Sequence, residues 1–118
     1  MTLGFRRDLL RGSLDLMVLS VLMDGAKYGY MIQKHLKQAS QGRVELMAGT
    51  LYPILHRLES EQLIRSRWEE SGARSRKWYE ITEAGIRCLR QQADEWTEFA
   101  VCMERLLNAI RPAMPTVS

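Results

Sequence analysis

The segment from residue 49 to residue 64, GTLYPILHRLESEQLI, limits the fold of this chain more than any other part. Leu51, Leu55 and Leu58 are spaced by four and then three residues, so one face of a short helix is apolar. Pro53 is compatible with a helix that starts near residue 49 or 50, because the first N–H groups of a helix have no intrahelical partners. The sequence therefore predicts that this segment opens with a short helix.

The exposed face of this predicted helix, which we place at residues 49–61, is suited to a nucleic acid. It begins with Thr50, Tyr52 and Pro53 and continues to Arg57. Small and hydrogen-bonding groups thus lie at the helix N-terminus, where the helix dipole places partial positive charge. Such a surface fits a phosphate and the edge of a base.

Helical periodicity predicts two further helices before this one and a longer helix after it. Apolar residues recur at helical spacing over 9–23 and again over 28–38, and a glycine breaks the pattern after each stretch. A very short strand is expected at 44–46. Thr82 is a suitable N-cap for a last helix that runs to about Ile110.

Two strands are expected between the third helix and the last one, near 63–70 and 75–81. Both are rich in isoleucine, tryptophan and tyrosine, and the residues between them, Ser71, Gly72 and Ala73, indicate a hairpin turn. Three helices, a hairpin and a further helix are the order of a winged helix-turn-helix. In that arrangement the third helix enters the major groove of DNA, and the hairpin, or wing, reaches neighbouring phosphates.

The charge distribution favours a polyanionic partner. The 118 residues include 17 lysines and arginines against 14 aspartates and glutamates, a net charge of only +3. The excess is nevertheless concentrated: residues 25–43 hold four basic and no acidic side chains, and residues 63–82 hold five basic against three acidic ones. Because these segments flank the 49–61 helix in sequence, they indicate double-stranded DNA as the partner.

Membrane and export signals are missing from the sequence, and a cytoplasmic protein is expected. No apolar run approaches the roughly 20 residues that span a bilayer, and the basic N-terminus is not followed by a small-residue cleavage signal. Cys88 and Cys102 lie 14 positions apart in one predicted helix, roughly 21 Å, so they cannot pair within the chain. Free thiols fit a reducing compartment.

Catalysis is not expected, and neither a metal nor a cofactor is. His35 and His56 fall on different predicted helices, and the sequence contains no nucleophile–base pair, metal-ligand cluster or phosphate-binding loop. The alternative to DNA binding is a winged-helix module that binds another protein, because a fold does not by itself fix a function. The basic wing argues against that alternative, since a protein-interaction module does not need it.

The last helix carries an apolar seam that a small core cannot cover. Its residues alternate at spacings of three and four over more than three heptads, along a helix about 37 Å long. The first half can pack on the chain's own first helix, and the remainder predicts a homodimer. Dimerisation would set two recognition helices about one DNA turn apart, on a palindromic site. The expected interface residues are Leu89, Ala93, Trp96, Ala100, Met103, Leu107 and Ile110.

The predicted fold class is therefore mostly α with a small β-hairpin: a winged helix-turn-helix plus a long C-terminal dimerisation helix. We expect residues 1–82 to form the DNA-binding domain and residues 83–111 to form the dimerisation helix, as one compact unit. Residues 112–118, which contain two prolines, are expected to form a tail.

Five segments carry a resemblance to a known family. They are RGSLDLMVLSVL (11–22), YGYMI (28–32), GTLYPILHRLE (49–59), LI.S.W (63–68) and RSRKWYEIT (74–82). With them the sequence resembles, over most of its length, the PadR family of bacterial transcriptional regulators, and in particular its compact members with one C-terminal helix. The resemblance implies a repressor that contacts DNA through the third helix and the wing and dimerises through the C-terminal helix.

Matching motif positions gives the expected DNA contacts. The resemblance points to one residue of the second helix, four in the third helix and three in the wing, and the exposed helix faces add Lys34 and Arg57. The full set is Tyr30, Lys34, Gly49, Thr50, Tyr52, Pro53, Arg57, Arg74, Arg76 and Lys77. We expect Thr50 and Tyr52 to contact base edges or to orient the helix in the groove, and we expect the wing to contact phosphate.

One position departs from the family pattern. Gln62 stands just after the third helix, where members usually have a glycine. A residue other than glycine in a left-handed helix cap costs roughly 1 kcal/mol.

Trp96 lies on the seam between two small residues, Ala93 and Ala100. Two interpretations stay open. Trp96 either fills the dimer core, or it lines a cleft where a flat aromatic effector stacks on the indole and loosens DNA binding. The resemblance adds weight to the second, because certain compact PadR-like regulators respond to planar hydrophobic compounds at this interface.

Overall fold

The computed structural model describes residues 2–3, 13–71, 74–113 and 115, and over these ranges the chain is mostly helical with small antiparallel sheets. The α-helices are α1 (Leu14–Val21), α2 (Gly29–Ala39), α3 (Ala48–Ser60) and α4 (Glu83–Ile110). The strands are β1 (Thr2–Leu3), β2 (Lys27–Tyr28), β3 (Val44–Glu45), β4 (Ile64–Ser71) and β5 (Arg74–Ile81). Short 3-10 helices, Leu22–Asp24 and Arg111–Ala113, follow α1 and α4.

The order of elements confirms the predicted winged helix-turn-helix. α2, α3, α4 and the two wing strands lie within one or two residues of the bounds that the sequence predicts. The predicted first helix, 9–23, is seen as α1 and the 3-10 helix after it, and its residues 9–12 lie outside the described residues. The hairpin tip at Gly72 and Ala73 lies outside them as well.

The wing sheet contains a third strand that the sequence does not predict. β2 pairs antiparallel with β5, with Lys27 opposite Tyr79 and Tyr28 opposite Trp78, so the strand order is β2-β5-β4. Tyr28 is therefore extended and precedes α2, whereas its apolar spacing suggested the first residue of the helix. A two-residue strand has no periodicity of its own, and only its distant partner reveals it.

The hydrophobic core lies between α1, α2, α3 and the wing sheet. Leu51, Leu55 and Leu58 are fully buried, which confirms the predicted apolar face of α3. The other buried members are Val18, Leu19, Val21, Leu22, Ile32, Leu36, Val44, Leu46, Ile54, Ile64 and Tyr79. Burial raises the pKa of the Tyr79 phenol. Because these side chains hold one side of α3, the opposite side of that helix is left facing outward.

The placement of Pro53 differs from the sequence expectation. α3 begins at Ala48, so Pro53 is its sixth residue and lies inside the helix. It therefore does forgo one hydrogen bond, the one that an N–H at this position would donate to the carbonyl of Gly49. Both residues are exposed, and solvent can satisfy that carbonyl. The sequence places Pro53 among the first N–H positions, which have no intrahelical partner, whereas in the structure it lies beyond the first turn of α3.

The turn after α3 is left-handed at the position where a glycine is usual. Gln62 has φ of 63°. Its N–H donates to the Glu59 carbonyl over 3.0 Å, and the N–H of Leu63 donates to the Leu58 carbonyl over 2.9 Å. These two bonds form a Schellman motif, which satisfies the last carbonyls of the helix. Gln62 therefore adopts the left-handed backbone conformation that usually needs a glycine, and the Schellman turn forms with both of its hydrogen bonds.

The start of α4 is fixed against this turn by Thr82. Its hydroxyl accepts a hydrogen bond from the N–H of Gly85 over 3.0 Å, which confirms the predicted N-cap, and donates to the carbonyl of Gln62 over 2.7 Å. Gly85 is buried so closely that an added Cβ would lie 2.1 Å from the carbonyl oxygen of Leu63. The direction of α4 relative to α3 is thus set by backbone contacts that leave no room for a side chain at residue 85.

A buried lysine joins the end of α1 to the wing sheet. The Nζ atom of Lys27 donates to the carbonyl of Val21 over 2.9 Å and forms an ion pair with Asp24. The hydrogen bond from Lys27 lowers the pKa of the Asp24 carboxyl. Since β2 lies directly before α2, this contact also fixes where the helix-turn-helix begins.

The 28 residues of α4 extend over about 42 Å, and the long dimension of the molecule, 62 Å, is twice the next. Cys88 and Leu89 in its first third pack against the core. Trp96, Leu106 and Ile110 further along are about half exposed or more. None of the described helices combines the length and the apolar character that crossing a membrane requires.

Candidate nucleic-acid interface

The outward side of α3 presents the residues that the sequence predicts. Gly49, Tyr52 and Pro53 are exposed, and Thr50 is partly buried. An added Cβ at Gly49 would meet nothing within 4 Å, so the space above this part of the helix is open. The N-terminal half of α3 is therefore accessible to a large partner.

Tyr52 is held by the start of α2. A Cβ at Gly29 would lie 2.2 Å from the phenolic oxygen of Tyr52 and 2.8 Å from its Cζ atom, so only a glycine allows this contact. The ring of Tyr52 remains 39% exposed. Tyr52 thus packs between α2 and α3 and keeps one edge exposed. Gly29 belongs to the YGYMI segment, but only the approach of α3 reveals what this glycine does.

A cleft of about 480 Å³ lies between α2, α3 and the wing, and its walls combine aromatic rings with basic groups. Its lining residues are Tyr28, Gly29, Tyr30, Tyr52, His56, Trp68, Ser75, Arg76, Lys77 and Tyr79. Trp68, on the edge strand β4, is 65% exposed, which is unusual for so large an apolar side chain. Sequence reasoning misses Trp68 as a candidate, although it is the last residue of the LI.S.W segment.

The wing cations have different environments. The exposed guanidinium of Arg76 lies 4.7 Å from the centre of the Tyr28 ring. Lys77 is less exposed, and its Nζ atom lies 3.8 Å from a carboxylate oxygen of Glu59 on α3. The side chain of Arg74 lies outside the described residues, and only its backbone in β5 is seen. Of the two predicted wing cations whose side chains the structure describes, Arg76 is therefore the one more open to a phosphate.

Arg57 is engaged within the chain. Its two terminal nitrogens lie 2.5 and 2.6 Å from the two carboxylate oxygens of Asp15 on α1. This hydrogen bonding raises the pKa of Arg57. The bidentate pair links α3 to α1, so the side chain is turned toward α1. The sequence predicts Arg57 on the exposed face of the helix but gives no sign of its partner Asp15, which is 42 positions away.

A second cleft, of about 640 Å³, runs along α2 and ends at Met47, the residue directly before α3. Tyr30, 63% exposed, and Lys34 line it from α2, and Met47 lines it beside α3. The amide nitrogen of Gln33 donates to the carbonyl of Leu46 over 2.7 Å and thereby holds the turn between the two helices. Tyr30 and Lys34 thus lie on the same side of the molecule as the N-terminus of α3.

The residues of the predicted dimer seam on α4 differ in their burial. Leu89 packs against the chain's own core. Ala93, Trp96 and Ile110 are exposed, whereas Ala100, Met103 and Leu107 are partly buried. The rings of Trp96 and Phe99 lie 5.9 Å apart, and both are about half exposed. Beyond Leu89, this helix presents an apolar surface that the described part of the chain leaves largely uncovered.

The helix-turn-helix, its three-stranded wing and the long terminal helix define a winged-helix protein. The PadR-like family of transcriptional regulators matches residues 18–91 of the chain. The chain belongs to this family, whose members are regulators of transcription and not enzymes. Among the described residues, no group of three or more histidine, cysteine, aspartate or glutamate side chains is placed to hold a metal ion.

The chain is also similar to other proteins in sequence and in structure. An uncharacterized protein of Lysinibacillus sphaericus is 31% identical over 106 residues, which cover 89% of this chain and 97% of that protein. Transcriptional regulator Rv3488 of Mycobacterium tuberculosis is 31% identical over 94 residues, 80% of this chain and 85% of that one. The crystal structure of a PadR family transcriptional regulator from Eggerthella lenta has a TM-score of 0.76 at 37% identity, and covers 85% of this chain and 86% of its own.

Proposed function

We propose that this chain is a repressor that binds a palindromic DNA operator as a homodimer. The N-terminal half of α3 enters the major groove, and the wing contacts the flanking phosphates. The observation that carries the proposal is the exposed N-terminal half of α3, open above Gly49, beside an aromatic cleft that Tyr52 lines from α3 and the exposed Arg76 lines from the wing. An interaction module for proteins would have no use for a cation placed beside that helix.

The proposed contacts are assigned by their placement. Thr50 and the exposed edge of Tyr52 contact the bases or orient α3 against them. Gly49 and Pro53 allow the DNA backbone to approach. Arg76 contacts phosphate, together with Arg74 and Lys77 in the wing and with Tyr30 and Lys34 on α2. Arg57 supports α3 through Asp15 and is assigned a positioning role.

The dimer is supported by the uncovered surface of α4. Residues 1–82 form the DNA-binding part in this proposal, residues 83–111 form the dimerisation helix, and residues 112–118 form the tail. A two-fold axis beside α4, in the region from Trp96 onward, would bury the exposed Trp96 and Ile110, and would repeat α3 at a second half-site. A bacterial repressor of transcription acts on DNA in the cytoplasm, and we propose that this protein is located there.

The division of labour between wing and helix is the first test. With an operator selected from random duplexes, Arg76→Ala should weaken operator and random DNA alike. It should also lower the salt slope by about 0.9 for each phosphate that the variant no longer neutralises. Thr50→Val keeps the side-chain volume but removes the hydroxyl, so it should cost about three- to tenfold on the operator and little on random DNA.

Arg65→Ala is the matched control for the wing. Arg65 is an exposed arginine at the base of the hairpin, where its Nε donates to Glu80 over 2.6 Å. Fluorescence anisotropy at several salt concentrations measures all three variants. If Arg65→Ala and Arg76→Ala lower the salt slope equally, or if Thr50→Val weakens both duplexes equally, the assigned contacts are wrong. If the native chain binds no duplex, the protein-interaction module takes the place of this proposal.

A second prediction concerns release of DNA. We propose that a planar hydrophobic effector stacks on Trp96 at the dimer axis and favours a spacing of the two α3 helices that fits the operator poorly. Titration with planar aromatic compounds should give saturable quenching of tryptophan fluorescence in the native chain and not in Trp96→Ala, where Trp68 and Trp78 remain as reporters. Quenching that survives in Trp96→Ala would place the site elsewhere, and no saturable binding would leave Trp96 as part of the dimer core.

A further inference from the structure

The residue directly before α3 is an exposed methionine at a helix-capping position. Met47 is the N-cap residue of α3, and its side chain makes no capping hydrogen bond. Serine, threonine, aspartate and asparagine are preferred at such positions, because their oxygens accept a hydrogen bond from the first turn. The helix that carries the proposed DNA contacts therefore forgoes a stabilising bond at its first position.

The side chain of Met47 is not part of the hydrophobic core. It is 52% exposed, and it is not a member of the buried cluster, whereas its neighbour Leu46 is 1% exposed and is a member. Ala48 and Gly49, the first two residues of α3, are exposed as well. The leading edge of α3, which we define as Met47, Ala48 and Gly49, is thus apolar and open.

We propose that Met47 contacts the C5 methyl group of a thymine at one fixed position in each operator half-site. In a helix-turn-helix, the N-terminal residues of the recognition helix contact base edges in the major groove. Among the four bases, only thymine presents a methyl group there. A methionine offers no hydrogen-bond donor and only a weak acceptor, so an apolar contact is the specific interaction open to it.

The inference rests on the proposed function and specifies the sequence that the operator must contain. The flexible thioether of Met47 adapts to an irregular apolar surface such as a row of thymine methyls. A lone exposed methionine needs no explanation by itself, and Met23 is such a residue, 47% exposed in the 3-10 helix after α1. Met47 differs because it occupies a position that favours a polar cap and because it heads the open edge of α3.

The test removes one methyl group at a time from the DNA. Each thymine of the selected operator is replaced symmetrically by deoxyuridine, and the dissociation constant is measured for the native chain, Met47→Ala, Met47→Asn and the control Met23→Ala. Removal of one buried methyl group should weaken binding about fourfold for each half-site. We expect one thymine position with this cost in the native chain and in Met23→Ala, and no cost at that position in either Met47 variant.

Met47→Asn separates the contact from the stability of the helix. Asparagine restores a capping side chain, so this variant should melt at or above the temperature of the native chain while it loses the response to deoxyuridine. A response that persists in Met47→Ala and Met47→Asn, or its absence at every thymine in the native chain, overturns the inference while operator binding still stands. A native chain that selects no operator at all overturns the proposed function, and this inference with it.

Discussion

Replacing Gly85 with alanine is expected to lower the free energy of unfolding by about 2–3 kcal/mol. The added Cβ would lie 2.1 Å from the carbonyl oxygen of Leu63 and 2.7 Å from the Cγ1 atom of Ile81. The carbonyl oxygen of Leu63 also accepts a hydrogen bond from the N–H of Thr82. It therefore cannot move without breaking the junction between the turn and α4. The clash outweighs the roughly 1 kcal/mol by which alanine usually favours a helix over glycine.

Gly49→Ala is the matched control for this prediction. Gly49 is also a helical glycine, but a Cβ there meets nothing within 4 Å, so the substitution should leave the free energy of unfolding unchanged or raise it by up to about 1 kcal/mol. Urea denaturation followed by circular dichroism measures both variants. Equal and small effects at the two positions would contradict the close contact that sets the direction of α4.

The double variant Met103→Asp and Leu107→Asp is expected to dissociate the dimer, with a dimer dissociation constant raised at least about a hundredfold. Both residues lie on the second half of α4, where the seam is proposed to meet its copy. Each carboxylate would be taken out of water without a partner, and most of the desolvation cost would fall on the associated state, because both positions are only partly buried in the single chain. Sedimentation velocity at micromolar concentration measures the result, and circular dichroism confirms that the helices remain.

Gln91→Asp with Asn108→Asp controls for the two added charges. Both positions are exposed and lie on α4 outside the 3–4 seam, so the dimer should persist in this variant. An unchanged, folded dimer in Met103→Asp and Leu107→Asp would contradict the proposed interface. Dissociation in both double variants would assign the effect to charge in general, and not to the seam.

Local patterns in the sequence predict most of this fold. The leucines of α3 repeat with the helical period and are buried, and the wing strands follow the Ile, Trp and Tyr content on either side of Ser71. The capping role of Thr82 is local too, since it depends on a residue three positions away. The turn at Gln62 is different, because the departure from glycine leaves its geometry undecided in the sequence, and the left-handed φ of 63° is seen only in the structure.

Contacts between residues far apart in sequence account for what could not be predicted. The pairing of Arg57 with Asp15 spans 42 positions, and neither residue's neighbours indicate it. The same holds for Lys77 and Glu59, which the fold of the wing onto α3 brings within 3.8 Å. In the site, composition suggests which side chains can bind a phosphate, but the structure decides which of them another part of the chain already engages.

Selection from a pool of random duplexes tests the central claim most directly. The native chain is bound to the pool at moderate salt, the retained duplexes are amplified and sequenced, and the stoichiometry on the enriched site is measured by sedimentation. We predict a palindrome whose half-sites are centred about 10 base pairs, or one helical turn, apart, occupied by two chains. Retention of duplexes without sequence enrichment, or of none, would contradict the claim that this chain is a sequence-specific regulator acting as a dimer.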